Sequence, residues 1–266
     1  MAHSATEKIG IKVVNVLVFL FFFSSHMYSV IGPNSHTKTS YLAPAAYSFW
    51  IWTLIDFLLL GMVIIQFTDA GFGPVVETIG WRFAIIGLLN AAWVYLFHHG
   101  QYVIGFVVVL FLAAAISNVY WDLKKNRPTD KISAIFVHLP FSLWHAYAVF
   151  LVVLTGFTAF SKDKHSHPAS LATKVVGVIA LVFLASTSVG YAFESQKGDL
   201  AGAAVIAWEL LAIYINQPHP RLIHWFALAG FIVSLLAIVK ALFYTARNPS
   251  LTGDDGERAP LIAGSD

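Results

Sequence analysis

Eight separate stretches of roughly 20 apolar residues, about the length that carries an α-helix across a bilayer, recur along the chain at 12–32, 45–67, 79–98, 102–121, 132–160, 171–193, 200–217 and 221–244. Their number and length predict an all-α fold, a polytopic transmembrane bundle of about eight spans. Hydrophobic residues make up 58% of the sequence and charged ones 11%, too few polar groups to coat a water-soluble globule. No Pro/Gly-rich or low-complexity stretch is long enough to divide the chain. Residues 1–245 are therefore expected to form a single transmembrane domain, followed by a polar, disordered cytosolic tail at 246–266. Gly and Pro punctuate the joints, as at Gly71-Phe72-Gly73-Pro74 and Gln217-Pro218-His219-Pro220. The absence of cysteine removes disulfides, thiolate metal sites and cysteine nucleophiles. A formal charge of +2, scattered along the chain, argues against nucleic acid as a partner.

The start of the first span, with Lys8 and Lys12 ahead of an apolar run, also fits a secretory signal peptide. The apolar character continues to Ile31 without a small-residue cleavage site, which favours a retained helix. With the N-terminus in the cytosol, eleven of the 16 Lys and Arg residues fall on the cytosolic side. The positive-inside rule then places both termini in the cytosol. In the tail, Glu257 followed by Leu261 and Ile262 fits an acidic dileucine sorting signal. Such a peptide would be extended and reachable there, and it points to a eukaryotic endomembrane address, vacuole- or lysosome-like, unless the match is by chance.

Ionisable and amide side chains inside apolar runs persist where they are paired, solvated in a cavity or functional. Two acids meet that description. Asp56 lies mid-way along the second span, four residues after Trp52 and so on the same face. Glu209 lies in the seventh span beside Trp208. Facing a cavity, either acid would form an ion or proton site; packed against a neighbouring helix, it would be structural. Asn90 and Trp93 share a face of the third span. In the fifth span His138 and His145 are two turns apart, with Phe141 and Trp144 beside them and Pro140 poised to bend the axis. That separation places the two rings roughly 10 Å apart along the axis, poor geometry for one metal ion, so no metal site is assigned. Phosphate loops, H-E-x-x-H and G-x-S-x-G are absent, which argues against an enzyme and leaves no catalytic residue to assign.

Three short segments, in order, carry a resemblance. Pro44-Ala45-Ala46-Tyr47-Ser48-Phe49-Trp50-Ile51-Trp52-Thr53, Leu89-Asn90-Ala91-Ala92-Trp93 and Pro140-Phe141-Ser142-Leu143-Trp144 resemble helices two, three and five of the tryptophan-rich sensory protein and translocator protein family (TspO/MBR). The resemblance covers residues 12–160 and implies a five-helix fold there, with 171–244 supplying three additional spans. It further implies a pocket for an apolar, planar or polycyclic ligand such as a tetrapyrrole or sterol. In that pocket Trp52 and Asn90 would bond the ligand's polar atom and Trp144 would form an aromatic wall. Three departures separate the chain from the family pattern: Asp56 replaces a usual Tyr, Ala46 a usual Trp and Phe141 a usual Tyr.

The ligand-binding candidates are thus Trp52, Asp56, Asn90, Trp93, His138, Phe141, Trp144 and His145. A receptor- or translocator-like binding protein is the leading expectation. The alternatives are a proton- or cation-coupled carrier using Asp56 and Glu209, and a structural subunit of a membrane complex. Candidate partners are the lipid bilayer, a hydrophobic small molecule, sorting adaptors at the tail and a second copy of the chain in a homodimer.

Overall fold

A computed structural model of the chain describes residues 4–31, 38–126, 128, 130–194 and 198–247. The proposed sorting residues Glu257, Leu261 and Ile262 lie outside these described residues. Nine helical elements follow one another among them: α1 (Ala5–Ile31), α2 (Ala46–Ile65), α3 (Asp69–Ile79), α4 (Arg82–His98), α5 (Tyr102–Lys125), α6 (Lys131–Phe160), α7 (Leu171–Phe193), α8 (Leu200–Asn216) and α9 (Arg221–Arg247). Six are long and apolar enough to cross a bilayer, and the α3/α4 pair, bent by 70°, makes a seventh if counted as one broken span. Leu200–Asn216 is apolar too but, at 17 residues, falls short of that length.

The third apolar stretch differs from its expected bounds because the chain turns within it. Gly80 adopts φ 55°, the left-handed region open to glycine, and its N–H bonds the carbonyl of Val75 at 2.9 Å. Phe72–Ile79 winds as a π-helix and Arg82 starts α4, so the connection after α2 is itself helical. In α6 the expected bend at Pro140 is absorbed rather than expressed. Ala134–His138 is π-helical immediately before it, and the wider turn accommodates a residue that has no N–H to give.

Five helices close into a ring: α1 packs on α2 and α4, α4 on α5, α5 on α6, and α6 returns to α2. The first span is thus an integral wall, buried through Val18, Phe22 and His26. Close approach within the ring depends on small residues. A Cβ on Gly87 of α4 would sit 2.4 Å from Val18 Cγ1 of α1. Helices α7, α8 and α9 pack on one another as a triangle, and α8 fastens that triangle to α6. Large apolar side chains such as Phe57, Phe111, Ile179 and Leu236 remain exposed on the perimeter, as a lipid-facing surface requires.

Two polar seams join triangle and ring. At the end where α1 begins, Tyr120 donates to Asp199 at 2.6 Å and to Glu194 at 3.0 Å, Lys124 pairs with Glu194, and Ser142 donates to Asp199 at 2.5 Å. At the opposite, far end, Gln217 Nε2 donates to the carbonyls of Ser40 and Ala43 at 3.3 and 2.7 Å. The Ala45 N–H adds a bond to the Ala212 carbonyl at 3.0 Å. The segment leading into α2 is therefore held by α8.

Candidate ligand-binding site

Three polar side chains from three helices of the ring converge. His26 of α1 brings Nδ1 to 3.1 Å from both oxygens of Asp56 on α2, and its Nε2 lies 3.1 Å from Asn90 Nδ2 on α4. All three are buried, with 3%, 5% and 0% of their surface exposed. An amide N–H is a donor, so with Asn90 in this orientation Nε2 accepts and the imidazole proton sits on Nδ1, aimed at the carboxylate. Asn90 Oδ1 is left without a protein partner.

Aromatic rings surround this group. The Trp52 ring lies 4.1 Å from that of His26, centroid to centroid, and Phe22 meets His26 edge-on at 4.2 Å. Trp93, one turn beyond Asn90, donates its indole N–H to Thr155 of α6 at 3.0 Å. A cavity of about 410 Å³ opens beside the group, lined by His26, Phe49, Trp52, Asp56, Trp93 and Phe97 among others. Ala46 also lines it. By the resemblance in the sequence a tryptophan would be expected there, and the chain has only a methyl group.

Trp52, Asp56 and Trp93 thus reach one cavity as their helical spacing predicts, and Asn90 joins through His26. The remaining candidates separate. Trp144 forms a second layer, fully buried with its ring 5.0 Å from Phe22 and 6.3 Å from Trp52. His138 and Phe141 line a different crevice of about 430 Å³, with Tyr120, Ser142 and Asp199. His145, two turns after His138, is engaged between ring and triangle: Tyr191 OH of α7 lies 2.5 Å from Nδ1, Ser117 Oγ of α5 2.9 Å from Nε2, and Tyr120 of α5 stacks on the imidazole at 4.2 Å. Glu209 belongs to the α2/α8 interface, where Ser48 donates to it at 2.6 Å. Asp56 and Glu209 occupy separate places.

His26 is the residue that reading by spacing misses. Its signal was an imidazole within Phe21 to Ile31, where Ser24, Ser25 and Ser29 already interrupt the apolar pattern; Asn15, three turns earlier on the same buried stripe, is engaged by Gln66 instead.

A sequence model of the family described as TSPO-like protein matches residues 9–240. The chain belongs to the TSPO-like protein family. The match takes in α7, α8 and most of α9 as well as the ring, so the triangle falls within the family's own pattern. No curated protein and no solved structure matches the chain. Family and helices together make this TSPO-like protein an integral, multi-pass membrane protein.

Proposed function

We propose that this TSPO-like protein binds a hydrophobic small molecule with one polar end in the cavity between α1, α2 and α4. The observation that carries the reading is the Asp56–His26–Asn90 group on the wall of an aromatic-lined chamber. Small-molecule sites commonly measure about 300–1,000 Å³ and combine apolar walls with a few oriented polar groups. Asp56 keeps lone pairs beyond those facing His26 and would accept a hydroxyl or ammonium of the ligand. The ligand's apolar body would lie against Trp52, Phe49 and Phe97 and leave past Ala46. Such a site suits a sterol-like polycycle with one hydroxyl better than a tetrapyrrole, whose carboxylate oxygens would face the acceptor oxygens of Asp56.

We read the group as a recognition element, its imidazole held in one orientation by Asp56 and Asn90. An ion-coupled carrier would need Asp56 and Glu209 on one path, whereas Glu209 is held at the α2/α8 interface. We further read both termini as cytosolic and the membrane as an endomembrane, on the lysine and arginine bias and the tail motif. Glycosylation acceptors inserted at 165 and in the tail would test that orientation; modification of the tail would reverse it.

The binding reading is tested by mass spectrometry of small molecules retained by the protein in mild detergent, beside a folded Asn90→Ala/Trp52→Ala variant. A polycyclic ligand in the native sample and not in the variant supports the cavity. An empty native protein, or equal retention by both, overturns it.

A further inference from the structure

The ring and the triangle diverge at the far end. Helix α7 packs on α8 and α9 and touches α6 only slightly, and between α6 and α7 lies a crevice of about 860 Å³, the larger by far of those described. Its walls are apolar: Phe106 from α5, Val152 and Phe157 from α6, Val176 and Ala180 from α7. It opens among exposed apolar side chains, including Phe160, Leu171 and Ile179, so its surroundings are lipid.

The rim has a different chemistry. Lys162, His167, Ser170 and Thr173 close the crevice at the far end, and no carboxylate lines it. The segment 161–174 carries Lys162, Lys164 and Lys174 against Asp163 alone. Lys164 is committed to Gln217 Oε1 at 2.8 Å, and Asp163 accepts from the His165 N–H at 2.8 Å. Lys162 has no ion pair or hydrogen bond among the described residues, and it stands at the mouth of an apolar crevice. The α7 N-terminus, capped by Ser170 Oγ on the Thr173 N–H at 3.1 Å, points its first turn at the same rim.

Depth decides between occupants. From Ser170 to Ala180 along α7 is ten residues, or about 15 Å at 1.5 Å per residue, half of a hydrocarbon core of about 30 Å. A partner's transmembrane helix would need a groove along the whole span, whereas this one ends at mid-membrane. We propose that the α6/α7 crevice is a binding site for one anionic glycerophospholipid of the surrounding bilayer. An acyl chain fills the apolar part to Ala180, and the phosphate sits at Lys162, His167 and the first turn of α7. A zwitterionic headgroup fits less well, because no carboxylate lines the crevice to receive its ammonium group.

The full chain in mild detergent, exposed to equal amounts of phosphatidylglycerol and phosphatidylcholine and then examined by native mass spectrometry, tests the site. Wild type is expected to retain one lipid per chain, with phosphatidylglycerol favoured about tenfold. Lys162→Glu, on an exposed side chain, is expected to bring that preference near parity. Ala180→Trp, which fills the bottom of the crevice, is expected to remove both lipids; elution as a monodisperse peak with unchanged helix content shows that the variant is folded. Equal retention of the two lipids by wild type overturns the proposal. So does phosphatidylglycerol preference unchanged in Lys162→Glu, or lipid retention unchanged in folded Ala180→Trp.

Discussion

The Nδ1 atom of His26 lies 3.1 Å from each carboxylate oxygen of Asp56, so α1 supplies the group that orients the acid of α2. Removing either partner strands the other in a buried place, which costs about 1–3 kcal/mol for an unsatisfied polar group. His26→Ala and Asp56→Ala should each lower stability by such an amount. The His26→Ala/Asp56→Ala double variant should lose less than the sum of the two single losses. Denaturant unfolding in detergent, followed by tryptophan fluorescence, measures the cycle; strict additivity would show that the two side chains are not coupled.

Ligand affinity should respond to Trp52 on the cavity wall and, through His26, to Asn90 behind it. Asn90→Ala and Trp52→Ala are each expected to weaken binding about ten- to hundredfold, equivalent to about 1.4–2.8 kcal/mol. Ala46→Trp should slow association by narrowing the mouth while leaving the polar group intact. Association and dissociation rates for the retained ligand separate these effects, and an unchanged on-rate in Ala46→Trp would move the mouth elsewhere.

Asp199 serves three donors at once: Tyr120, Ser142 and the Gly202 N–H, the last at 3.0 Å as the cap of α8. Truncation to Ala removes a helix cap worth about 1 kcal/mol together with hydrogen bonds to a charged acceptor worth about 1.5–3 kcal/mol. Asp199→Ala should therefore lower the thermal midpoint clearly, and Asp199→Asn by a smaller step, since the amide oxygen still caps. Equal losses for the two variants would assign the effect to charge instead of capping.

The contact of Gly87 with Val18 admits no side chain, because a Cβ would fall within 2.4 Å of Val18 Cγ1. Gly87→Val should destabilise by about 1–3 kcal/mol through overpacking and weaken ligand binding as well, by separating His26 from Asn90. The compensating Val18→Ala change is expected to restore part of both, read out by the same unfolding and binding measurements.

Gln217→Ala removes the side-chain donor to the Ser40 carbonyl and one of the two to Ala43, which still accepts from Asn216 at 3.0 Å. The lead-in to α2 should loosen, and ligand dissociation should accelerate several-fold with little change in helix content. Hydrogen exchange across residues 38–46 checks this directly, and unchanged protection there would contradict it.

Asp56, Trp52, Asn90 and Trp93 were legible in the sequence because each is a polar or amphipathic group inside an apolar run, at spacings that fix a shared helix face. What periodicity cannot supply is the neighbour which that face meets. His145 and Trp144 are adjacent in sequence, yet one turns to Tyr191 of the triangle and the other to Phe22 in the ring. His26 was invisible for the same reason, since its partners lie on two other helices. The turn at Gly80 was likewise hidden: Gly71 and Gly73 nearby read as a loop, and the π-helical segment between them and Gly80 has no simple period of its own.

The clamp by Gln217 has a consequence for how the molecule is made. Its bonds to Ala43 and Ser40 close over 174 and 177 residues of chain. At a synthesis rate of about 5–20 residues per second, the segment leading into α2 waits on the order of ten to thirty seconds for the side chain that fixes it. During that interval the lead-in has only its bonds to Tyr102, Thr158, Lys164 and His167, all made by earlier parts of the chain, so the α8 clamp is the last of its ties to form.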